Sequence, residues 1–201
     1  MNKTNVLNNS IGKICLGGIF LTISQVFFIR EMPFDITPNF IGTLLILWAI
    51  NTYNSSDEMF KKIYLKFKLL TGWFVVAFII LLFAFIGKQI VWFHALYMWI
   101  DFIAIHYSLY LIIKILTTIE KNAGYLRKNI KWYILWITLT LANMCSIIAS
   151  QATVVIGPIS QAFVLGVGTM IFLSAILEFA SSVMLIFLFF ITSKNGNYSR
   201  I

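Results

Sequence analysis

MPFDITPNFIGTLLILWAINTY, from Met32 to Tyr53, either crosses a bilayer or dips into one and returns. In the second case everything after it lies the other way up. The two prolines and Asp35 sit at its start, and an apolar helix of about four turns follows from Asn39. Proline is tolerated in a first helical turn because those amides have no intrahelical partner. Asp35 or Thr37 can cap the start, their side-chain oxygens accepting from exposed amides.

The rest of the chain says that there is a bilayer to cross. Of 201 residues, 60% are hydrophobic and only 11% charged, and the mean hydropathy is +0.91. Soluble domains carry about 25% charged residues; folding so apolar a chain in water would leave almost nothing to face the solvent. Apolar runs of membrane-spanning length recur. The expected fold class is therefore all-α, a polytopic membrane helix bundle forming a single integral membrane domain over residues 1–201. Six transmembrane helices are expected at about 11–29, 34–53, 69–86, 90–113, 132–156 and 164–192, with a basic amphipathic inner segment at 54–68. Within that segment Ser55 and Glu58 have capping-box spacing. Met59, Phe60, Ile63, Tyr64 and Phe67 recur at helical steps among Lys61, Lys62, Lys66 and Lys68. Two forms fit this pattern: a helix on the inner membrane surface, or an extension of the third span.

The lysines and arginines settle how Met32–Tyr53 reads. With the N-terminus inside, 13 of the 15 fall on inner segments, leaving Arg30 and Lys88 outside. Such asymmetry predicts an N-in, C-in topology. A re-entrant Met32–Tyr53 would move the Lys61–Lys68 cluster outside and invert all that follows, so this segment is expected to span. The same distribution accounts for the net charge of +8 as membrane anchoring, not as a nucleic-acid surface. The first apolar run lacks a small-residue cleavage pattern before Arg30 and reads as an uncleaved helix. Cys15 and Cys145 lie in apolar runs without a CxxC partner and read as small apolar residues.

Ionisable groups within spans are the main functional pointers in a membrane protein. Asp101 falls near the middle of the fourth span, where a carboxylate costs about 2.5–3.5 kcal/mol on insertion scales. His94 and Ser108 stand seven residues either side, within about 40° of Asp101 around the helix, with Tyr97 on the same flank. Glu178 lies mid-way along the sixth span between Ser174 and Ser182. The fifth span adds Thr140, Asn143, Ser146 and Ser150 at helical spacing, and the first adds Thr22 and Gln25. The candidate intramembrane polar site is thus Asp101, Glu178, His94, Tyr97, Asn143 and Ser174. It would line a cavity for a cation, a proton or a polar solute. In the alternative reading, each acid is held by hydrogen bonds to neighbouring helices. His106 lies off this stripe, and a helix-to-helix hydrogen bond accounts for it as well as a ligand role does. No HExxH, GxSxG or GxxxxGK[ST] pattern occurs, so neither a metal nor another cofactor is expected and an enzyme is disfavoured.

Residues Ile19–Lys68 also resemble a family of uncharacterised integral membrane proteins of Firmicutes. The family's I-D-I-L-P-D-F-I-G-Y type segment opens a second helix; here it stands as Phe34-Asp35-Ile36-Thr37-Pro38-Asn39-Phe40-Ile41-Gly42-Thr43, with Ser55-Ser56 and Phe60-Lys61-Lys62 after it. Asn39 and Thr43 replace the family's aspartate and tyrosine. The resemblance implies a multi-pass protein of a bacterial cytoplasmic membrane and no particular activity. Three functional expectations remain. The first is a transport-related or solute-binding protein, or a membrane subunit of a larger complex, working near Asp101 and Glu178. The second is a partner-binding or immunity-type protein without a substrate; the third is a membrane-embedded enzyme pairing Asp101 with His94 or His106. The lipid bilayer is the expected partner, with a protein partner or small solute unidentified.

Overall fold

A computed structural model of the chain describes six helices: α1 (Lys3–Val26), α2 (Asn39–Tyr53), α3 (Glu58–Gly87), α4 (Val91–Asn122), α5 (Asn129–Ile156) and α6 (Gln161–Lys194). Side chains are described within 9–23, 39–52, 58–80, 98–119, 130–149, 151–152 and 165–193. Every described residue is helical. Four helices are long and apolar enough to cross a membrane, through Glu58–Ile80, Met98–Ile119, Ile130–Ala149 and Leu165–Ser193. Shorter apolar stretches lie in α1 (Asn9–Ile23) and α2 (Asn39–Thr52). The 15 residues of α2 span about 22 Å at 1.5 Å per residue, against about 30 Å of hydrocarbon. Residues 34–38, expected to open this helix, lie outside the described residues, as does Ser55.

The helices outrun their apolar cores. α4 continues through the basic residues after Ile113 as far as Asn122, and α5 starts three residues before Trp132. Lysine and glutamate are good helix formers, so charge ends the apolar run without ending the helix. For the same reason Glu58–Gly87 is one uninterrupted helix, and the basic Lys61–Lys68 stretch is its first part. Phe60, Ile63 and Phe67 are buried. At this end of α3 the Thr118 hydroxyl of α4 approaches Met59 Sδ at 3.8 Å. The apolar side of the basic stretch is thus buried in the bundle, where α3 packs against α2 and α4. The lysines face away from the core, Lys62 pairing with Glu58 at 2.8 Å on the exposed surface.

Packing neighbours define the architecture. α1 packs against α2, α4 and α6; α4 packs against α1, α3 and α5; α2 meets α3, and α5 meets α6. These neighbours describe two rows of three, α2–α1–α6 and α3–α4–α5, with α1 and α4 in the centre. Burial agrees: 67% of the apolar window of α4 is buried, against 22% for α3 and α6 and 33% for α5. On α4 the buried residues Ile105, Leu109, Ile112 and Leu116 occur together with Ala104, Leu111, Ile115, His106 and Ser108, so well over half of the helix circumference is buried, as befits a central helix.

The α1–α2 contact depends on glycine. A Cβ on Gly17 would fall 2.6 Å from the Gly42 carbonyl oxygen and 2.6 Å from an Ile46 side-chain carbon. A Cβ on Gly42 would fall 2.9 Å from the Gly17 carbonyl oxygen. Close backbone approach through small residues is how helices gain dispersion contact in lipid, where no hydrophobic force draws them together. Lys13 lies over the ring of Trp48, so α1 and α2 run antiparallel. On the other side of α1, Gly18 receives the ring of Phe189, which also packs on Trp132 at 5.1 Å. Phe189 therefore ties α1, α5 and α6 together.

Candidate functional site

Polar side chains converge most clearly between α4 and α5. His106, buried on α4, faces two side chains of α5: Thr140 Oγ1 lies 2.9 Å from Nδ1, and Asn143 Nδ2 lies 3.3 Å from Nε2. The Thr140 hydroxyl donates to the Trp136 carbonyl at 2.7 Å. Its oxygen is then left to accept, which assigns the imidazole hydrogen to Nδ1 and leaves Nε2 to accept from the Asn143 amide. Trp136 Nε1–H donates to the His106 carbonyl at 3.0 Å, and the Phe102 ring lies 4.5 Å from the imidazole. Both ring nitrogens are engaged, so this histidine fastens α4 to α5 and is not an open metal ligand or proton acceptor.

The seam continues in both directions. Toward the start of α4, Trp99 Nε1–H donates to Gln151 Oε1 at 2.9 Å. Toward its end, Tyr110 packs against Tyr133 and Trp136 at ring separations of 6.4 and 5.4 Å. These pairs fix an antiparallel register. Asp101, half-buried on α4, stands five residues before His106, about 7.5 Å along the helix axis.

The other expected site residues divide by helix. Asn143 lies on this seam. Glu178, half-buried, and Ser174, buried, lie on α6, which adjoins α5 and α1. Asp101 and Glu178 therefore stand at opposite corners of the four-helix group α1–α4–α5–α6, with α5 beside both. The contact of Trp132 with Phe189 sets Glu178 about level with Asn143 and His106, and Asp101 about one and a half turns away. The side chains of His94 and Tyr97 lie outside the described residues.

Several hydroxyls noted in the sequence satisfy themselves. Thr22 donates to the Gly18 carbonyl at 2.8 Å, Ser108 to Ala104 at 2.8 Å and Ser174 to Ile171 at 2.9 Å. Such bonds to the preceding turn let a hydroxyl sit in an apolar interior without a ligand. Cys15 and Cys145 form no disulfide. Among the described residues no cluster of three His, Cys, Asp or Glu side chains could hold a metal ion.

The chain matches no protein-family model, no curated protein and no solved structure.

Proposed function

We propose that the protein crosses a bacterial cytoplasmic membrane six times, with both termini inside, and binds or moves a small polar or cationic solute. The seam between α4 and α5 and the acids beside it are where that solute is handled. The observation carrying this reading is the run of polar groups Trp99–Gln151, Asp101 and His106–Asn143–Thr140 along one helix seam. Polar groups within a span are costly, and where they persist they pair with one another or line a solute path. Here His106 is the fastened part and Asp101 the candidate contact for a solute. The membrane setting is supported by the outer face of α6, where Leu165, Phe172, Leu173, Phe179 and Phe187 are all exposed. An apolar face of that extent suits lipid and would aggregate in water.

Cysteine accessibility tests this. In a background of Cys15→Ser and Cys145→Ser, a cysteine at position 101 or 143 is expected to react with a charged, water-soluble thiol reagent. Leu109→Cys, at a fully buried core position, is expected to stay unreactive. Equal protection of all three positions from both sides of the membrane would reduce the seam to a structural fastening. Reporter fusions test the orientation separately: the loop between α4 and α5 is expected inside.

A further inference from the structure

We infer that Lys13 and Trp48 form a binding site for the phosphate of an anionic phospholipid, at the end of the α1–α2 pair. Lys13 Nζ lies 3.4 Å from the centroid of the Trp48 ring, and Trp48 is 58% exposed on the outer side of α2. The ring engages one face of the ammonium group, leaving N–H donors directed away from it. Among the described residues Lys13 has no carboxylate partner; the ion pair found there is Lys62 with Glu58. The indole N–H of Trp48 likewise has no acceptor among the described residues. Two donors, one of them cationic, thus stand together at this end of the α1–α2 pair with no acceptor among the described residues.

Their surroundings name the ligand class. Leu16 of α1 and Leu44 of α2 are exposed on the same outward faces, one turn farther along each helix from the end where Lys13 and Trp48 meet. Asn9 and Asn51, both exposed, lie one turn the other way. Apolar side chains on one side and amides on the other mark the boundary between acyl chains and headgroups. A lysine and a tryptophan at that level are the residues that anchor there. A free phosphate would not use the leucine surface, whereas a phospholipid places its phosphate on the two donors and its chains along Leu16 and Leu44.

The site rests on the six-span reading only in that α1 and α2 lie in lipid, and it is measured in reconstituted protein whatever the orientation. Its failure therefore leaves the topology and the α4–α5 seam untouched. The experiment is quenching of Trp48 fluorescence by brominated lipids in phosphatidylcholine vesicles, taken as the full chain minus its Trp48→Phe variant. Brominated phosphatidylglycerol is expected to quench at about fivefold lower mole fraction than brominated phosphatidylcholine, the factor one lysine near an anionic leaflet contributes. Lys13→Gln is expected to remove that preference and Lys13→Arg to keep it. Equal quenching by the two lipids, or a preference that survives Lys13→Gln, overturns the proposal. The two-lipid comparison on the unaltered chain decides it alone if Lys13→Gln is not recovered folded.

Discussion

Gly17→Leu is expected to yield no folded protein, and Gly17→Ala is expected to lose about 1–3 kcal/mol, the usual cost of overpacking a close contact. The first atom that any side chain adds here would meet the Gly42 carbonyl oxygen at 2.6 Å. That atom is backbone, so relief requires α1 and α2 to separate, and separation strips contact from Ile46 and Leu21, both fully buried. Gly18→Ala differs in kind. Its Cβ would meet the Phe189 ring at 2.7 Å, but that ring is itself held against Trp132 and has little room to turn. Gly72→Ala is the control, because nothing lies within 4 Å of its added Cβ. There the helix propensity of alanine predicts no loss, or a gain of up to about 1 kcal/mol. Unfolding midpoints in a mild detergent rank the unaltered protein and the three alanine variants. A Gly17→Ala protein as stable as Gly72→Ala would mean that the two helices do not approach as closely as described.

The helices themselves were legible because apolar runs announce themselves by length, and each of the six expected segments overlaps a helix, four of them long and apolar enough to cross a membrane. Their ends were not. Apolar runs stop at the membrane boundary, whereas Lys114, Glu120 and Lys121 continue α4 because nothing in them breaks a helix. The arrangement of the helices was also hidden. Gly17 and Gly42 lie 25 positions apart in unremarkable apolar sequence, and only their juxtaposition shows that each admits the other's backbone. That α4 is central could not be told from its apolar residues, because lipid and protein interiors select the same residues. Hydrophobic patterning therefore could not say which apolar face points inward.

The candidate site shows the same division. Asp101 and Glu178 stood out because a carboxylate in a span is rare, and the polar stripe Thr140–Asn143 was visible by spacing. What the sequence reading missed was the partner of that stripe. It grouped His94 with Asp101 by angle around one helix and set His106 aside. With α4 ending at Asn122 and α5 starting at Asn129, an antiparallel pair carries residue 106 opposite the region of residue 143, so the pairing could have been found by folding the chain back on itself. Trp99 and Gln151 satisfy the same arithmetic. Single-helix periodicity sees one wall of a seam; antiparallel register is needed to see the other.

His106→Ala is expected to destabilise the protein by about 3 kcal/mol, and the interesting question is which part of the side chain accounts for it. Two hydrogen bonds are lost, to Thr140 and Asn143. Interhelical hydrogen bonds within membranes average only about 0.6 kcal/mol each, so together they explain roughly two fifths. The remainder is packing: a buried ring is removed beside Phe102, and large-to-small changes in a core cost about 2–5 kcal/mol. His106→Phe separates the terms, since it refills the space and removes both bonds. It is expected to recover more than half of the loss, and an Asn143→Ala cycle with His106→Ala is expected to give a coupling near 0.6 kcal/mol. Recovery of nothing by phenylalanine would instead make the hydrogen-bond network dominant, with unpaired Asn143 and Thr140 carrying the cost. In that case the seam is held by polarity and would loosen on any change at Asn143. If packing dominates, the seam stays closed when its polar groups are altered, and Asp101 can be substituted to probe solute handling without dissolving the helix pair that positions it.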